Sequence, residues 1–576
     1  MVTKLKVYTN EDDALLFWSV PAPIAECRGF AIARKKNGAA EDFLPNRVGF
    51  ENEAIAAQPV EGQEAVTKPS SEWPFQRFSW TDHDANTGDT VSYRVIPVVR
   101  RHDGALALLE DQASDWSPPR TLGSVSQSRF KPYFNRGFVM SQFMARYLEE
   151  NHLSLGAFKA AISKDVDDKI RTFLSGDLRK TMLQELATAK ADGTEVFGAL
   201  FELSDPELIE GLCALGPKAH LVLANGSVTK PKGVPSAVAR KGDENKKARE
   251  KLMTARCDVE ADSRFLSPGP LGHNKFLVFT DLHGKPLRAW TGSTNWTPTG
   301  LCTQLNNGLL VDDPEVAAAY HAQWQRLREA GSDFPAALVS ENGRPKQIGG
   351  DNPGRIRSTV WFSRTRKGVD LDALREEVQA AQHGILFLMF MPGGTGLFST
   401  VAARSAEPGL YVRGVVSELP NGRGDESAVD VNLIDGPNHT PVHLDIVEPQ
   451  GIEHPFAHFA EEVTRKQFLA GIGHAIIHSK VVVIDPFSDD PTVITGSHNF
   501  SISASSKNDE NFIVIKGDHD LAEAYAVNIL GAYAHYRWRA FLGETNRPFN
   551  GLKDNDRWMG PRLKSEQRDL AFWGLG

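Results

Sequence analysis

A chain of 576 residues is too long for one hydrophobic core, and its length corresponds to roughly three or four domain-sized units. With 41% hydrophobic and 24% charged residues it has the composition of a globular protein, and a net charge of -9 excludes one that coats nucleic acid or an anionic membrane with its whole surface. No run of about 18 apolar residues occurs, which argues against stable membrane insertion, and MVTKLKVYTNEDD has no apolar signal region. The four cysteines, Cys27, Cys213, Cys257 and Cys302, lie far apart without a CxxC pair. The expectation is a cytoplasmic protein with reduced thiols, without a disulfide framework or a zinc site.

Residues 1–122 alternate short β-rich segments, ALLFWSV, GFAIARK, RFSWTD and VSYRVIPVV, with turn-rich stretches such as DANTGD, which predicts an all-β sandwich. With Trp18 as a core aromatic and Tyr93 at the start of a penultimate strand, this segment resembles a fibronectin type III domain; an unrelated small β-domain fits the same spacing. It holds no catalytic constellation, so its expected role is to place a substrate or a protein partner.

From residue 123 the chain repeats itself. The strand VFGALFEL, the helix SDPELIEGLCALG and the strand AHLVLAN have counterparts in GILFLMF, LFSTVAARSA and YVRGVVS. Each copy reads as a β-α-β unit with apolar strands, the pattern of a largely parallel buried sheet. Each continues into a histidine-bearing hairpin and a helix, DPEVAAAYHAQWQRLREA or HDLAEAYAVNILGAYAHYRWRAFL. The expected class is therefore α/β, with repeats at 123–348 and 349–576 packed as a pseudo-two-fold pair and a seam in IGGDNPG, at Ile348 to Gly354.

Between AHLVLAN and the first histidine motif lies KPKGVPSAVARKGDENKKAREK, where Lys230, Lys232, Arg240, Lys241, Lys246, Lys247, Arg249 and Lys251 outnumber Asp243, Glu244 and Glu250. It reads either as a solvated loop and helix or as a local polyanion-binding segment.

The two copies align through GHNKFLVF and IIHSKVVVI. His273 matches His478, Lys275 matches Lys480, and Gly292, Ser293 and Asn295 match Gly496, Ser497 and Asn499, with Asn306 opposite Glu510 and Asn307 opposite Asn511. The offset from histidine to the Gly-Ser pair is 19 residues in the first copy and 18 in the second. A third HxK, His283-Gly284-Lys285, has no GSxN at that distance and is taken as chance. Strand alternation puts each His and Lys on one face. Two copies facing each other would then bring two imidazoles and two ammonium groups around one phosphate. One histidine attacks phosphorus, and the other protonates the leaving oxygen and then activates water. The lysines with Ser293, Asn295, Ser497 and Asn499 hold the non-bridging oxygens. The scheme needs neither metal nor cofactor.

These residues resemble the HxKxxxxD and GSxN signatures of the phospholipase D superfamily over residues 124–576. Asp485 completes the motif in the second copy, whereas the first has Thr280, with Asp281 one residue later, and Asn306 stands where the second has the acid Glu510. In the family such acids orient or support the histidines. Glu510 can serve one histidine, and a strand bulge at Thr280 would bring Asp281 to the other. The resemblance implies His273 as nucleophile and His478 as general acid. The reverse stays open, because the second motif is the more complete. For the substrate, GSxN followed by Trp296 or Phe500 and the basic segment favour a nuclease. A phospholipase or phosphatidyl transferase acting on phospholipid headgroups, and a degenerate phosphate-binding scaffold, are the alternatives.

Overall fold

The computed structural model describes residues 2–46, 48–51, 53, 67–123, 128–137, 160–163, 168–350, 354–393, 395–417, 446–447, 477–544 and 551–575. They fall into two compact units, one within Met1–Val125 and Arg537–Gly576, the other within Ser126–Glu453 and Phe459–Tyr536.

In the first unit Lys4–Thr9, Ala14–Ser19 and Ser79–Asp82 form an antiparallel three-stranded sheet. A five-stranded sheet runs Arg120–Thr121, Thr90–Arg100, Cys27–Lys36, Asp42–Phe43, with Leu106–Leu108 also on Thr90–Arg100. Trp18 and Tyr93 are fully buried, and the Tyr93 hydroxyl donates to Asp82 Oδ2 at 2.8 Å, the oxygen that also pairs with Arg34 at 3.0 Å. The sequence division carried the second repeat to residue 576, but the last residues cover these N-terminal sheets. Trp573 stacks on Phe17 at 4.8 Å between ring centroids, Trp558 meets Phe30 and Phe78, and Asp554 pairs with Arg28 and Arg100. Aromatic area of this size is costly to leave in water, so the segment docks where rings are available.

The second unit holds both repeats. The first sheet is ordered Phe130–Phe134, Asn307–Val311, Pro286–Gly292, Lys275–Thr280, Val196–Leu200, Ala219–Leu223, Asp258–Val259. The second is ordered Lys346–Ile348, Arg357–Ser363, Glu510–Lys516, Thr492–Gly496, Val481–Ile484, Gly384–Met389, Tyr411–Val416, Ile446–Val447: the same succession with one extra edge strand. Among the described residues only the β-α-β strands and the short strand after them pair in parallel within these sheets, so the expected largely parallel sheets are in fact mixed. The histidine hairpins insert next to Val196–Leu200 and Gly384–Met389, and a hairpin can pair only antiparallel.

The helices form where the sequence places them. Pro206–Cys213 is capped by the Asp205 carboxylate, and Pro314–Ala330 by Asp313, which accepts from Glu315 N and Val316 N; each has proline in its first turn. Leu208, Ile209 and Leu212 sit with Val196, Leu200 and Leu221 in the core of the first repeat, while Phe387, Phe398 and Val412 belong to that of the second. Among the described residues no helix is long and apolar enough to cross a membrane. Residues 351–353 of the expected seam lie outside the described residues.

Candidate active site

The histidines stand just ahead of the strands on which the sequence placed them. Strand pairing begins at Lys275 and Val481, and the preceding residues cross to the opposite repeat, Gly272 bridging to Asp509 and Ile477 to Leu305. His273 N donates to Asp509 O at 3.0 Å, and His478 N donates to Leu305 O at 2.9 Å. Each repeat thus fixes the other's histidine backbone, and the same exchange governs the side chains. His273 Nδ1 lies 2.7 Å from Glu510 Oε2, and His478 Nδ1 lies 2.8 Å from Asn306 Oδ1. The two residues recognised as an acid and its replacement each serve the histidine of the other copy.

Gly292 and Gly496 end their strands at φ 143° and 155°, where a Cβ would come within 2.4 Å of Asn307 O and 2.3 Å of Asn511 O. Only glycine permits this approach, and it turns the next residue inward. Ser293 Oγ donates to Asn306 Oδ1 and Ser497 Oγ donates to Glu510 Oε2, both at 2.8 Å. The serine protons expected for phosphate are therefore engaged on the groups behind the histidines. Asn295 Nδ2 donates to Glu202 Oε2 at 2.8 Å; among the described residues the Oδ1 atoms of Asn295 and Asn499 have no partner.

Lys275 Nζ donates to His273 O at 2.8 Å, and Lys480 Nζ donates to His478 O. Both histidines, both lysines and Glu510 are almost wholly buried. Burial, followed by the nearby lysines, holds both imidazoles well below their ordinary range. Burial lowers Lys275 to about 8 against the pull of Glu510 and Glu202, and holds Lys480 well below its ordinary range, with Lys275 adding to the effect. Burial raises Glu510 to about 7, opposed first by Lys275. Each lysine acts on both histidines, so the four groups of the two repeats share one electrostatic environment.

The structure does not bring Asp485 to this cluster. Its carboxylate accepts from the backbone N–H of Gln382 at 2.8 Å and of His383 and Gly384 at 2.7 Å, at the far end of Val481–Ile484. Thr280 does the matching work in the first repeat, accepting from Glu195 N at 3.0 Å. The strand register does shift at Thr280, yet Asp281 accepts from His283 N and Lys285 N in an exposed turn instead of reaching a histidine. Buried N–H groups at a strand entry need an acceptor, and a hydroxyl meets that need as a carboxylate does.

Sequence reading missed three side chains at the cluster. Phe201 lies over Lys275 at 5.0 Å and against His273 at 4.6 Å, and Phe390 lies over Lys480 at 4.7 Å and against His478 at 4.7 Å. The last residues of VFGALF and GILFLMF held that signal. The third is Glu202, directly after Phe201. Among the described residues no group of three or more His, Cys, Asp or Glu side chains is gathered as a metal ion would require.

The chain matches the family described as "Cardiolipin synthase, PLD-like domain" over residues 170–328 and 375–530. A protein named "Phospholipase D" from Rickettsia felis (strain ATCC VR-1525 / URRWXCal2) is 41% identical over 75 residues, 13% of this chain and 35% of that protein. The chain thus spans about a third of the length of this relative. Among solved structures, phosphatidylserine synthase from Haemophilus influenzae Rd KW20 is similar at TM-score 0.37 and 12% identity, covering 69% of this chain and 92% of that one. The phospholipase D family member Nuc from Salmonella typhimurium is similar at TM-score 0.21 and 16% identity, covering 27% and 91%. Because the family match takes in more than half of the chain and falls on both repeats, the protein belongs to the PLD-like domain family of the phospholipase D superfamily.

Proposed function

We propose that the protein hydrolyses a phosphodiester through a covalent phosphohistidine on His273, and that its substrate is nucleic acid. The observation that carries this reading is the unequal support of the two imidazoles, Glu510 on His273 and Asn306 on His478. With its Nδ1–H donating a hydrogen bond to Glu510, the neutral His273 keeps a lone pair on Nε2. As Nε2 bonds to phosphorus the ring becomes cationic, and the carboxylate stabilises that charge. The P–O bond to the leaving alcohol breaks while His478, which enters this step as the imidazolium with the bound phosphate anion beside it, gives its Nε2 proton to the departing oxygen. An amide oxygen stabilises imidazolium less than a carboxylate does, which suits His478 to releasing a proton. His478 then takes a proton from water, whose oxygen displaces His273 from phosphorus. Lys275, Lys480, Asn295 and Asn499 are assigned to the non-bridging oxygens. No step draws on a metal or a cofactor.

The basic segment supports the nucleic acid assignment. Lys230, Lys232, Lys241 and Lys247 are exposed, and its root is tied to the cluster, with Ser227 Oγ donating to Glu202 Oε1 at 3.2 Å and Glu202 holding Asn295. A second reading, a phospholipase or phosphatidyl transferase, is favoured by Met391 and Ile502, 45% and 50% exposed beside Phe390 and Phe500. In either case the reciprocal histidine contacts fit a pseudo-two-fold pair with one shared site. The N-terminal sheets, read as fibronectin III-like, are assigned to placing a protein partner.

The test is a cleavage panel in EDTA with single-stranded DNA, duplex DNA, RNA and phosphatidylcholine vesicles, using wild type, His273→Ala and His478→Ala. Nucleic acid cleavage that survives EDTA and vanishes in both variants is expected. Cleavage of vesicles alone would move the protein to the lipid enzymes, and variants as active as wild type would end the two-histidine mechanism.

A further inference from the structure

A site assembled from two like repeats faces a problem that its histidines do not solve: a phosphodiester can enter it in either direction. The strand registers show where the halves differ. Leu200 pairs with Lys275 and Leu388 with Val481, so Phe201 and Phe390 are equivalent, and the next positions are Glu202 and Met391. One repeat presents a carboxylate where the other presents a thioether.

Glu202 is bound into the first half. It accepts from Asn295 Nδ2 at 2.8 Å and from Ser227 Oγ at 3.2 Å, and its charge acts on Lys275. Asn295 is 7% exposed, and its Oδ1 has no partner among the described residues. A carboxylate offers about four lone-pair sites, so two donors leave it with accepting capacity. Next to an anionic phosphate a bare acceptor repels; it becomes favourable when the substrate supplies a donor beside the scissile ester. Resting on the nuclease reading above, we propose that Glu202 sets the direction and class of substrate by accepting a hydrogen bond from a hydroxyl on the carbon adjacent to the one that bears the ester oxygen, as a ribose 2′-hydroxyl provides, making the protein selective for RNA.

A deoxyribose leaves that carboxylate desolvated and unrewarded, and sites built to bond a hydroxyl discriminate strongly against substrates lacking it. The following phosphates of the strand would meet Lys230 and Lys232, on the segment that Ser227 anchors. Among the described residues the Met391 position offers no carboxylate to the hydroxyl, so the reversed orientation lacks the bond that Glu202 makes.

The experiment measures kcat/KM of the full chain on the matched dinucleotides UpU and dUpdU, with bis(p-nitrophenyl) phosphate as a diester lacking the hydroxyl. Wild type, Glu202→Gln and Glu202→Met are compared, and thermal unfolding confirms that each is folded. Wild type is expected to favour UpU at least tenfold. Glu202→Met should bring the ratio close to one, and Glu202→Gln, which keeps one acceptor oxygen, should retain part of it. Equal wild-type rates, a ratio unmoved by Glu202→Met, or a preference for glycerophosphoethanolamine over UpU would each overturn the proposal, the last assigning Glu202 to an ammonium headgroup. Hydrolysis of bis(p-nitrophenyl) phosphate without cleavage of either dinucleotide overturns it too. Failure on that diester as well, or its hydrolysis by His273→Ala at the wild-type rate, would instead defeat the reading on which it rests.

Discussion

Glu510 and Asn306 are thirteen residues past Ser497 and Ser293, and each receives that serine's hydroxyl while facing a histidine of the other repeat. Exchanging one for the other is therefore informative. Asn306→Asp puts a carboxylate on His478 Nδ1 and raises that histidine's pKa. If His478 is the acid, the alkaline limb of the kcat/KM profile moves to higher pH, and movement of the acidic limb instead would mark His478 as the nucleophile. Glu510 carries a stability consequence with a definite sign. Burial raises it from 4.5 to about 7, so the folded state holds its proton more tightly than the unfolded chain does. That contribution is complete below about pH 4.5 and is lost as pH rises through about 7. The unfolding temperature of Glu510→Gln should therefore gain on wild type between pH 5 and pH 8, by an amount on the order of a few kcal/mol in stability, while activity falls by about 10² to 10⁴. A constant difference across that range would mean that Glu510 is ionised throughout.

At the scale of elements, the site depends on two strand ends that no ordinary residue can form. Gly496 brings its backbone so close to Asn511 O that an added Cβ would lie 2.3 Å away. Gly496→Ala should cost about 3 kcal/mol or more, from overpacking together with an unfavourable φ, and thermal unfolding measures it. A near-neutral result would show that the strand end relaxes easily. The GSxN spacing marked these glycines in the sequence only as matching positions, while the β-α-β units and their helices were legible in it. The displacement of the histidines from their strands was not legible: alternation predicts which face a residue takes but not where pairing stops, and here pairing stops because the chain leaves its own sheet to meet the other repeat. Asp485 misled for a related reason, since motif spacing does not reveal whether a carboxylate is used by chemistry or by backbone N–H groups.

Across the whole molecule, the repeats are joined by buried polar contacts. Arg264 is 1% exposed and holds Asp509 through two bonds of 2.7 and 2.9 Å, next to Glu510 and on the residue whose carbonyl receives His273 N. Arg264→Ala should cost about 3 to 5 kcal/mol in denaturant unfolding, because it strands a buried carboxylate; a loss below about 1 kcal/mol would show that water replaces the partner. Asn307 reaches Thr495 and Tyr525 across the same boundary, and Asn511 reaches Thr291, Tyr320 and Asn274. The basic segment acts at longer range. If it carries single-stranded nucleic acid, replacing Lys230, Lys232 and Lys241 by alanine should flatten the plot of log binding constant against log salt by about 2, at roughly 0.7 per phosphate contact. An unchanged slope would make the segment an ordinary solvated surface.

The sequence by itself determined the two repeats, their β-α-β units, and the presence of histidine, lysine, glycine and asparagine at matching positions, because these follow from local periodicity and from residue types that buried strands rarely tolerate without use. The tertiary structure alone decided which acid serves which histidine, that Asp485 caps a strand entry, that Glu202 and Phe201 join the cluster, and that the last residues cover the N-terminal sheets. The physical reason is common to all four. Each is a contact between segments far apart in the chain, fixed by where whole sheets meet, and one-dimensional spacing carries no record of that meeting.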